Sequence, residues 1–166
     1  MNRPNAASTP RTGDDRAWFP HVTVATIVSR DDRFLMVEER AHGRLVLNQP
    51  AGHLEPDETL QAAAVRETLE ETGWTVELEH LVGVHQWTSP RSGSHFVRLT
   101  FAARAVAHDP ARALDRGIVR ALWMSRAELA AEQARLRSPL VLESVDEWLA
   151  GRRLPLDAVR LLGARS

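Results

Sequence analysis

Three glutamates, Glu67, Glu70 and Glu71, stand at positions i, i+3 and i+4 in an alanine-rich stretch of the chain. In an α-helix this spacing puts all three carboxylates on one face, because successive residues turn by about 100°. Like charges at this spacing repel each other, and the helix dipole disfavours acidic residues in a last turn. A solvated acidic face is one interpretation. The other is a site for Mg²⁺ or Mn²⁺, which prefer clustered oxygen ligands and bind phosphates.

The neighbouring sequence predicts a loop and a helix that would position these glutamates. Gly52 follows an apolar run and the break at Pro50, so we expect a strand to end there and a loop carbonyl to lie near the carboxylates. Asp57 is the predicted N-cap of a helix over 58–72, and Gly73 stands where a C-cap glycine belongs. The opposite, apolar face of this helix is predicted to consist of Ala62, Val65 and Leu69.

Charged and glycine residues recur at fixed spacing across this loop and helix. They are Gly52, Glu58, Arg66, Glu67, Glu70, Glu71 and Gly73. The pattern resembles the Nudix box of the Nudix hydrolase superfamily, with departures at Thr68 and Trp74, where the family generally has aliphatic residues. Further segments resemble the bacterial NudJ-type phosphatase branch: HVTVA from His21, NQPAGHLE from Asn48, HQW from His85 and LRSPLV from Leu136.

The resemblance implies roles for the residues of the box. It makes Glu67 and Glu71 the main ligands of Mg²⁺ or Mn²⁺, with Glu70 as a third ligand and the Gly52 carbonyl as a backbone ligand. Arg66 lies four residues before Glu70 and can pair with it, and Glu58 can pair with Arg66 as well, which would hold the carboxylates in place. An ordinary surface salt bridge is the alternative for both pairs.

The general base is open between two acidic residues. Glu67 is preferred, and Asp115 is the second candidate, although a solvated loop aspartate is the simpler interpretation of Asp115. Gly117 stands near the position where a carboxylate is common in the family.

Substrate contacts are inferred mainly from the NudJ-like segments. Asn48 and Gln49 are predicted to donate to phosphate or base, and Arg98 to meet phosphate. Trp87 offers a stacking face for a heterocyclic ring, and His85 can donate to phosphate. A role for Trp87 in the core and an incidental role for His85 are the alternatives.

Composition sets limits on the class of protein. The 166 residues, 43% of them hydrophobic, are enough for one domain with a core. A net charge of −1 gives no basic surface for long nucleic acid, so a small phosphorylated substrate is expected. All 21 basic residues are arginine and there is no cysteine, which excludes Schiff-base lysines, thiol nucleophiles and disulfides.

The order of predicted elements gives an α/β fold. Residues 1–17 are predicted to be a disordered tail, 18–156 the domain and 157–166 a C-terminal tail. Strands are predicted over 21–28, 34–38, 45–47, 75–78, 81–87, 96–106 and 118–124, and further helices over 126–134 and 139–150. The resemblance implies that they form a Nudix-type α/β/α sandwich with a mixed sheet.

The expected function is divalent-metal-dependent hydrolysis of pyrophosphate bonds. The NudJ-type resemblance implies release of orthophosphate from nucleoside di- and triphosphates or from hydroxymethylpyrimidine pyrophosphate. A Nudix pyrophosphohydrolase of another branch, acting on damaged nucleotides, nucleotide sugars or capped RNA, is the alternative, and a non-catalytic nucleotide-binding module is a third. No apolar run of about 18 residues and no signal peptide is evident, so we expect a cytoplasmic protein without a membrane anchor, either monomer or homodimer.

Overall fold

The computed structural model describes residues 18–41 and 43–163. The predicted disordered tail over 1–17 lies outside the described residues, as do the last three residues of the predicted C-terminal tail. Among the described residues, no helix is both long enough and apolar enough to cross a membrane.

Seven strands and three α-helices follow one another in the described residues. The strands are β1 (His21–Arg30), β2 (Arg33–Ala41), β3 (Arg44–Asn48), β4 (Ala51–His53), β5 (Trp74–Thr88), β6 (His95–His108) and β7 (Ile118–Ser125). The helices are α1 (Leu60–Thr72), α2 (Arg126–Ala131) and α3 (Leu140–Leu149), with short 3₁₀ turns at Gln133–Arg135 and Leu156–Ala158.

The strands form one mixed sheet, as predicted. Its order is β3-β2-β1-β6-β5, with β4 also paired to β1 and β7 to β2. Only the central pair, β1 with β6, is parallel, and the other pairs are antiparallel. A two-residue turn joins β1 to β2: Asp31 and Asp32 both have positive φ, as a type I′ hairpin requires.

Helices cover both faces of this sheet, which confirms the predicted α/β/α layers. On one face, Ala63 and Ala64 of α1 pack against Val24 and Phe101 of the central strands. The residues from α2, α3 and the sheet that pack together on the other face include Leu129, Val141, Val145, Ile27 and Phe34.

The start of α1 differs from the prediction. Thr59, and not Asp57, is the N-cap, and its hydroxyl accepts a hydrogen bond from the Ala62 N–H at 3.0 Å. Asp57 instead has a φ of 64° in the preceding turn, a conformation that aspartate tolerates better than most residues. The predicted C-cap is confirmed, because Gly73 has a φ of 71° and donates to the Leu69 carbonyl at 2.9 Å.

The predicted apolar face of α1 is also wrong in part. Ala62 is exposed, whereas Ala63 and Ala64 are buried, so the helix is rotated relative to the expectation. The buried face includes Thr68, whose hydroxyl donates to the Ala64 carbonyl and lies 2.7 Å from the hydroxyl of Thr26 on β1. Small and hydroxyl-bearing side chains let α1 lie close to the sheet, and this rotation brings two of the glutamates into the protein.

Two other element boundaries need correction. The two strands predicted over 75–87 are one continuous strand, β5, with three register shifts that keep it paired to β6. The helix predicted over 126–134 ends at Ala131, and it begins with a capping box formed by Ser125 and Glu128. Beyond residue 156, the Gln61 side chain donates to the Val159 carbonyl at 2.8 Å, so packed structure continues past the predicted end of the domain.

Candidate active site

Glu67 lies against the loop that precedes α1. An alanine Cβ at Gly52 would lie 2.1 Å from the Glu67 carboxylate carbon, far closer than atoms can approach. Only glycine leaves room for the carboxylate at this point. The backbone of Gly52 on β4 therefore lies directly against the carboxylate of Glu67 on α1. The Gly52 carbonyl and the Glu67 oxygens thus belong to neighbouring parts of one site.

Glu71 is one helical turn further along the same face. Its side chain is 8% exposed, and Oε2 accepts a hydrogen bond from the Ala51 N–H at 2.9 Å. The pKa of Glu71 is raised to about 8, mainly by burial and in smaller part by the nearby carboxylates of Glu39, Glu67 and Asp115. Burial also raises the pKa of Glu67, against the opposite effect of Arg66. Among the described residues Glu71 thus has no salt-bridge partner, whereas the positive charge of Arg66 offsets only part of the effect of burial on Glu67.

Arg66 ties the acidic residues together. Its guanidinium donates to both oxygens of Glu58 at 3.0 and 2.7 Å, to Glu67 at 2.9 Å and to Glu70 at 3.1 Å. It also donates to the His53 carbonyl at 3.1 Å. The predicted pairs with Glu70 and Glu58 are confirmed. Because the arginine is shared among three acids, it fixes their orientation without neutralising all of their charge.

The donor set suits a hard divalent cation. Among residues 18–41 and 43–163, no group of three or more His, Cys, Asp or Glu side chains is already arranged around one metal position. However, Glu67 and Glu71 present buried carboxylate oxygens beside the backbone of Ala51 and Gly52, and burial raises the pKa of both acids. Oxygen ligands of this kind could hold Mg²⁺ or Mn²⁺.

Both candidates for the general base lie at this site. Glu67 is within it, as described. Asp115 follows β6 in a loop whose backbone is attached to α1, since the Asp115 N–H donates to the Glu70 carbonyl at 3.0 Å. Its charge raises the pKa values of Glu67 and Glu71, so the loop lies close to the acidic face.

A cavity of about 170 Å³ opens beside Gly52 on the α3 side of the sheet. Three of the five residues predicted to contact substrate line it, namely Asn48, Trp87 and Arg98. Trp87 lies with its ring centre 5.5 Å from that of Phe96, which lines the cavity too. The cavity therefore joins the loop of the acidic site to an aromatic wall and to a buried arginine.

The other two predicted contacts are not among the residues that line this cavity. Gln49 is fully buried, and its amide donates to the Val141 carbonyl at 3.0 Å, which attaches the loop before β4 to α3. His85 lies with Nε2 at 3.1 Å from a carboxylate oxygen of Glu147 on α3.

Two charged residues of the cavity were not singled out from the sequence. Glu39 accepts hydrogen bonds from Arg137 at 2.9 Å and from the Asn48 side chain at 3.3 Å. Arg137 falls in the segment LRSPLV, whose resemblance to the NudJ-type branch was the one available signal. Glu39 comes from β2 and carries no such signal, because only the pairing of β2 with β3 brings it beside Asn48.

Comparison with known proteins supports a single family. A model of the NUDIX domain matches residues 19–145. The chain is 43% identical over 140 residues to "Phosphatase NudJ" of Escherichia coli (strain K12), covering 84% of this chain and 90% of that protein, and it is equally similar to the protein of the same name from Shigella flexneri.

Solved structures agree. A NUDIX hydrolase from Nitrosomonas europaea superposes with a TM-score of 0.85 at 46% identity, covering 86% of this chain and 97% of that one. An ADP-ribose pyrophosphatase from Streptococcus suis shares the fold at 19% identity, with a TM-score of 0.62 over 81% of this chain and 93% of that one. With buried acids on α1 beside a loop glycine, the chain belongs to the Nudix family and is a hydrolase that acts on phosphoanhydride bonds.

Proposed function

We propose that the enzyme is a Mg²⁺-dependent phosphatase that removes the terminal phosphate from nucleoside di- and triphosphates or from hydroxymethylpyrimidine pyrophosphate. The observation that carries the proposal is the placement of buried Glu67 and Glu71 against the Gly52 loop, at one end of a cavity that contains Arg98. The similarity to NudJ phosphatases supports the choice of orthophosphate as the product. Nudix enzymes use divalent cations, and Mg²⁺ is the specific proposal.

In this proposal the residues of the box hold the cation. Glu67 and Glu71 supply carboxylate oxygens, Glu70 a third, and Gly52 its carbonyl. A divalent cation bound there would neutralise phosphate charge and acidify a water molecule. Arg66 keeps the acids in fixed rotamers through its hydrogen bonds.

The proposed reaction is attack of water on the terminal phosphate, while other residues bind and orient the substrate. The oxygen of a water molecule attacks the terminal phosphorus. The bond from that phosphorus to the bridging oxygen breaks, and the bridging oxygen stays with the organic phosphate. Glu67 takes the proton of the water, with Asp115 as the second candidate. Asn48 and Arg98 donate to phosphate, and Trp87 stacks on the heterocyclic ring.

Gln49 and His85 have positioning roles in this proposal. Gln49 holds the loop before β4 to α3, and His85 pairs with Glu147, so each acts on the shape of the cavity from outside it. The cytoplasmic location and the choice between monomer and homodimer stay predictions.

The test is product analysis with purified enzyme. Nucleoside di- and triphosphates and hydroxymethylpyrimidine pyrophosphate are incubated with Mg²⁺, and orthophosphate is separated from pyrophosphate. We expect orthophosphate as the product. In Glu71→Gln the rate of its release should fall by at least about 100-fold. Glu79→Gln, the same change at an exposed strand position, is the control and should keep full activity. Release of pyrophosphate alone would show a pyrophosphohydrolase of another branch, and unchanged turnover in Glu71→Gln would refute the mechanism.

A further inference from the structure

Arg98 on β6 is a buried cation with almost no partners. Its side chain is 5% exposed, and within the part of the chain that the structure describes its one hydrogen bond runs from Nη2 to the neutral amide oxygen of Asn48 at 3.3 Å. The buried Nε has no partner among the described residues. Glu71 and Glu39 are close enough to influence its charge, but neither accepts a hydrogen bond from it. A buried charge without an ionic partner is strongly unfavourable, so the guanidinium needs an anion that the protein itself does not supply.

The N-terminus of α3 reaches the same cavity as Arg98. Ser138 and Leu140, on either side of the helix N-cap Pro139, both line it. The first N–H groups of a helix have no acceptor within the helix, and the positive end of its dipole lies there. In α3 the Val141 N–H already donates to the Ser138 carbonyl at 3.3 Å, so the donors available to a ligand are the other N–H groups of the first turn. This ten-residue helix therefore adds donors and positive potential on a second side of the space next to Arg98.

The other charges of the cavity are already paired. Of the described residues, Glu39 is the one acidic residue in its lining, and Arg137 donates to it at 2.9 Å while Asn48 donates at 3.3 Å. This pairing offsets the negative charge of Glu39. The unneutralised charge in the cavity is thus the positive charge of Arg98, with the start of α3 beside it.

We infer that Arg98, Asn48 and the first turn of α3 form a phosphate subsite that is separate from the carboxylates of α1. The inference rests on the proposed function, in which this subsite holds the terminal phosphoryl group during cleavage and the orthophosphate product afterwards. Arg98 donates from its free N–H groups, and the backbone N–H groups of α3 donate from the other side. Because these donors belong to the protein, orthophosphate binds here without a metal ion.

The experiment measures binding of inorganic phosphate by titration calorimetry, in chelator and at constant ionic strength. Wild type is expected to bind one phosphate with a Kd in the millimolar range. Arg98→Met, which removes the charge and keeps an apolar side chain of similar length, should weaken binding at least tenfold. Arg104→Met is the matched control, since Arg104 is an exposed arginine on the same strand, and it should bind phosphate as wild type does.

A second variant keeps the test decisive if Arg98→Met does not fold. Ser138→Asp places a negative charge at the start of α3, where it favours the helix dipole but repels phosphate. It should unfold at the same temperature as wild type or higher, and lose phosphate binding. The inference is overturned if wild type shows no saturable binding, or if Arg98→Met and Ser138→Asp bind as wild type does. Phosphate binding without hydrolysis of any tested substrate would support the subsite and overturn the proposed function. Hydrolysis without phosphate binding would support the proposed function and overturn the subsite.

Discussion

Gly52→Ala separates the role of Glu67 in catalysis from its role in the fold. The new Cβ would lie 2.1 Å from the Glu67 carboxylate, and ordinary contact begins near 3.4 Å, so the carboxylate must withdraw by about 1.3 Å. A displacement of about 1 Å in a catalytic group lowers the rate by roughly 100-fold, which corresponds to about 2.7 kcal/mol of transition-state stabilisation. We therefore expect kcat/KM to fall by about two orders of magnitude.

The same substitution should change stability little. Gly52 does not have a positive φ, so alanine fits its backbone, and the atoms it displaces are at the end of a flexible side chain. Loss of the hydrogen bond from Arg66 to Glu67 costs about 1 kcal/mol, and the reduced freedom of the unfolded chain returns roughly half of that or more. The free energy of unfolding should stay within about 1 kcal/mol of wild type.

The assay pairs initial rates of phosphate release with urea unfolding for wild type, Gly52→Ala and a control. Gly151→Ala is that control: Gly151 has a φ of 82° and open space around it, so alanine strains the backbone by about 1–2 kcal/mol and displaces no side chain. It should lose stability and keep its activity. Full activity in Gly52→Ala, or equal loss of activity in both variants, would refute the placement of Glu67 at the reaction centre.

Three further predictions concern pH, the base and the substrate ring. Contact with Arg120 holds the pKa of Glu38 below its usual value near 4.5, so this ion pair contributes stability that is complete above about pH 4.5 and is lost as the pH falls through the lower folded pKa. In Glu38→Gln the free energy of unfolding in urea should therefore depend less on pH between pH 5 and 3. An unchanged pH dependence would contradict this. Glu67→Gln should lower kcat by 100-fold or more and Asp115→Asn by less than about tenfold, and the reverse order would identify Asp115 as the base. Trp87→Ala should raise KM for nucleotides by about tenfold and leave KM for inorganic tripolyphosphate unchanged, since only the nucleotide has a ring to stack; equal effects on both would place Trp87 in the core alone.

The acidic part of the site could be predicted because its signal is local. The pairs of Arg66 with Glu58 and Glu70 follow from helical spacing, and the structure contains both. Within the same segment, the N-cap and the buried face were predicted incorrectly. Asp57 and Thr59 are both acceptable caps by residue type, but Asp57 has a φ of 64° whereas Thr59 has the extended backbone of an N-cap.

The buried face of α1 shows why periodicity alone was misleading. Hydrophobicity favoured Val65 and Leu69 as the inward side, yet the helix turns Ala63 and Ala64 toward β1, because small residues allow a closer approach. That rotation also buries Glu71, which no hydrophobic scale would place inside a protein. The prediction therefore failed at the functional residues. There the position of the Glu71 carboxylate, and not the preference of apolar residues for burial, matches the orientation of the helix.

The cavity could be predicted only in part, because its residues come from separate elements. Asn48, Trp87 and Arg98 were found through segment resemblance, and all three line it. Glu39 could not be found in this way, since its position depends on strand pairing. Gln49 adjoins Asn48 in the sequence but lies in the loop after β3, where its buried side chain is used to hold α3.

Glu71, which is held against the loop at Ala51, and Arg98, which lines the cavity, are buried titratable groups without an ion pair among the described residues. Glu71 has a pKa raised to about 8 by burial, and Arg98 has one lowered to about 10 by the same cause, so each buried group lacks the partner that would stabilise it. A direct ion pair between them would relieve both, and the structure does not make it. Keeping them apart costs stability, but it leaves the acid free for a cation and the arginine free for an anion. A divalent cation bound to a diphosphate carries both complementary charges in one ligand, which is why this separation favours a hydrolase of phosphoanhydrides over a structural salt bridge.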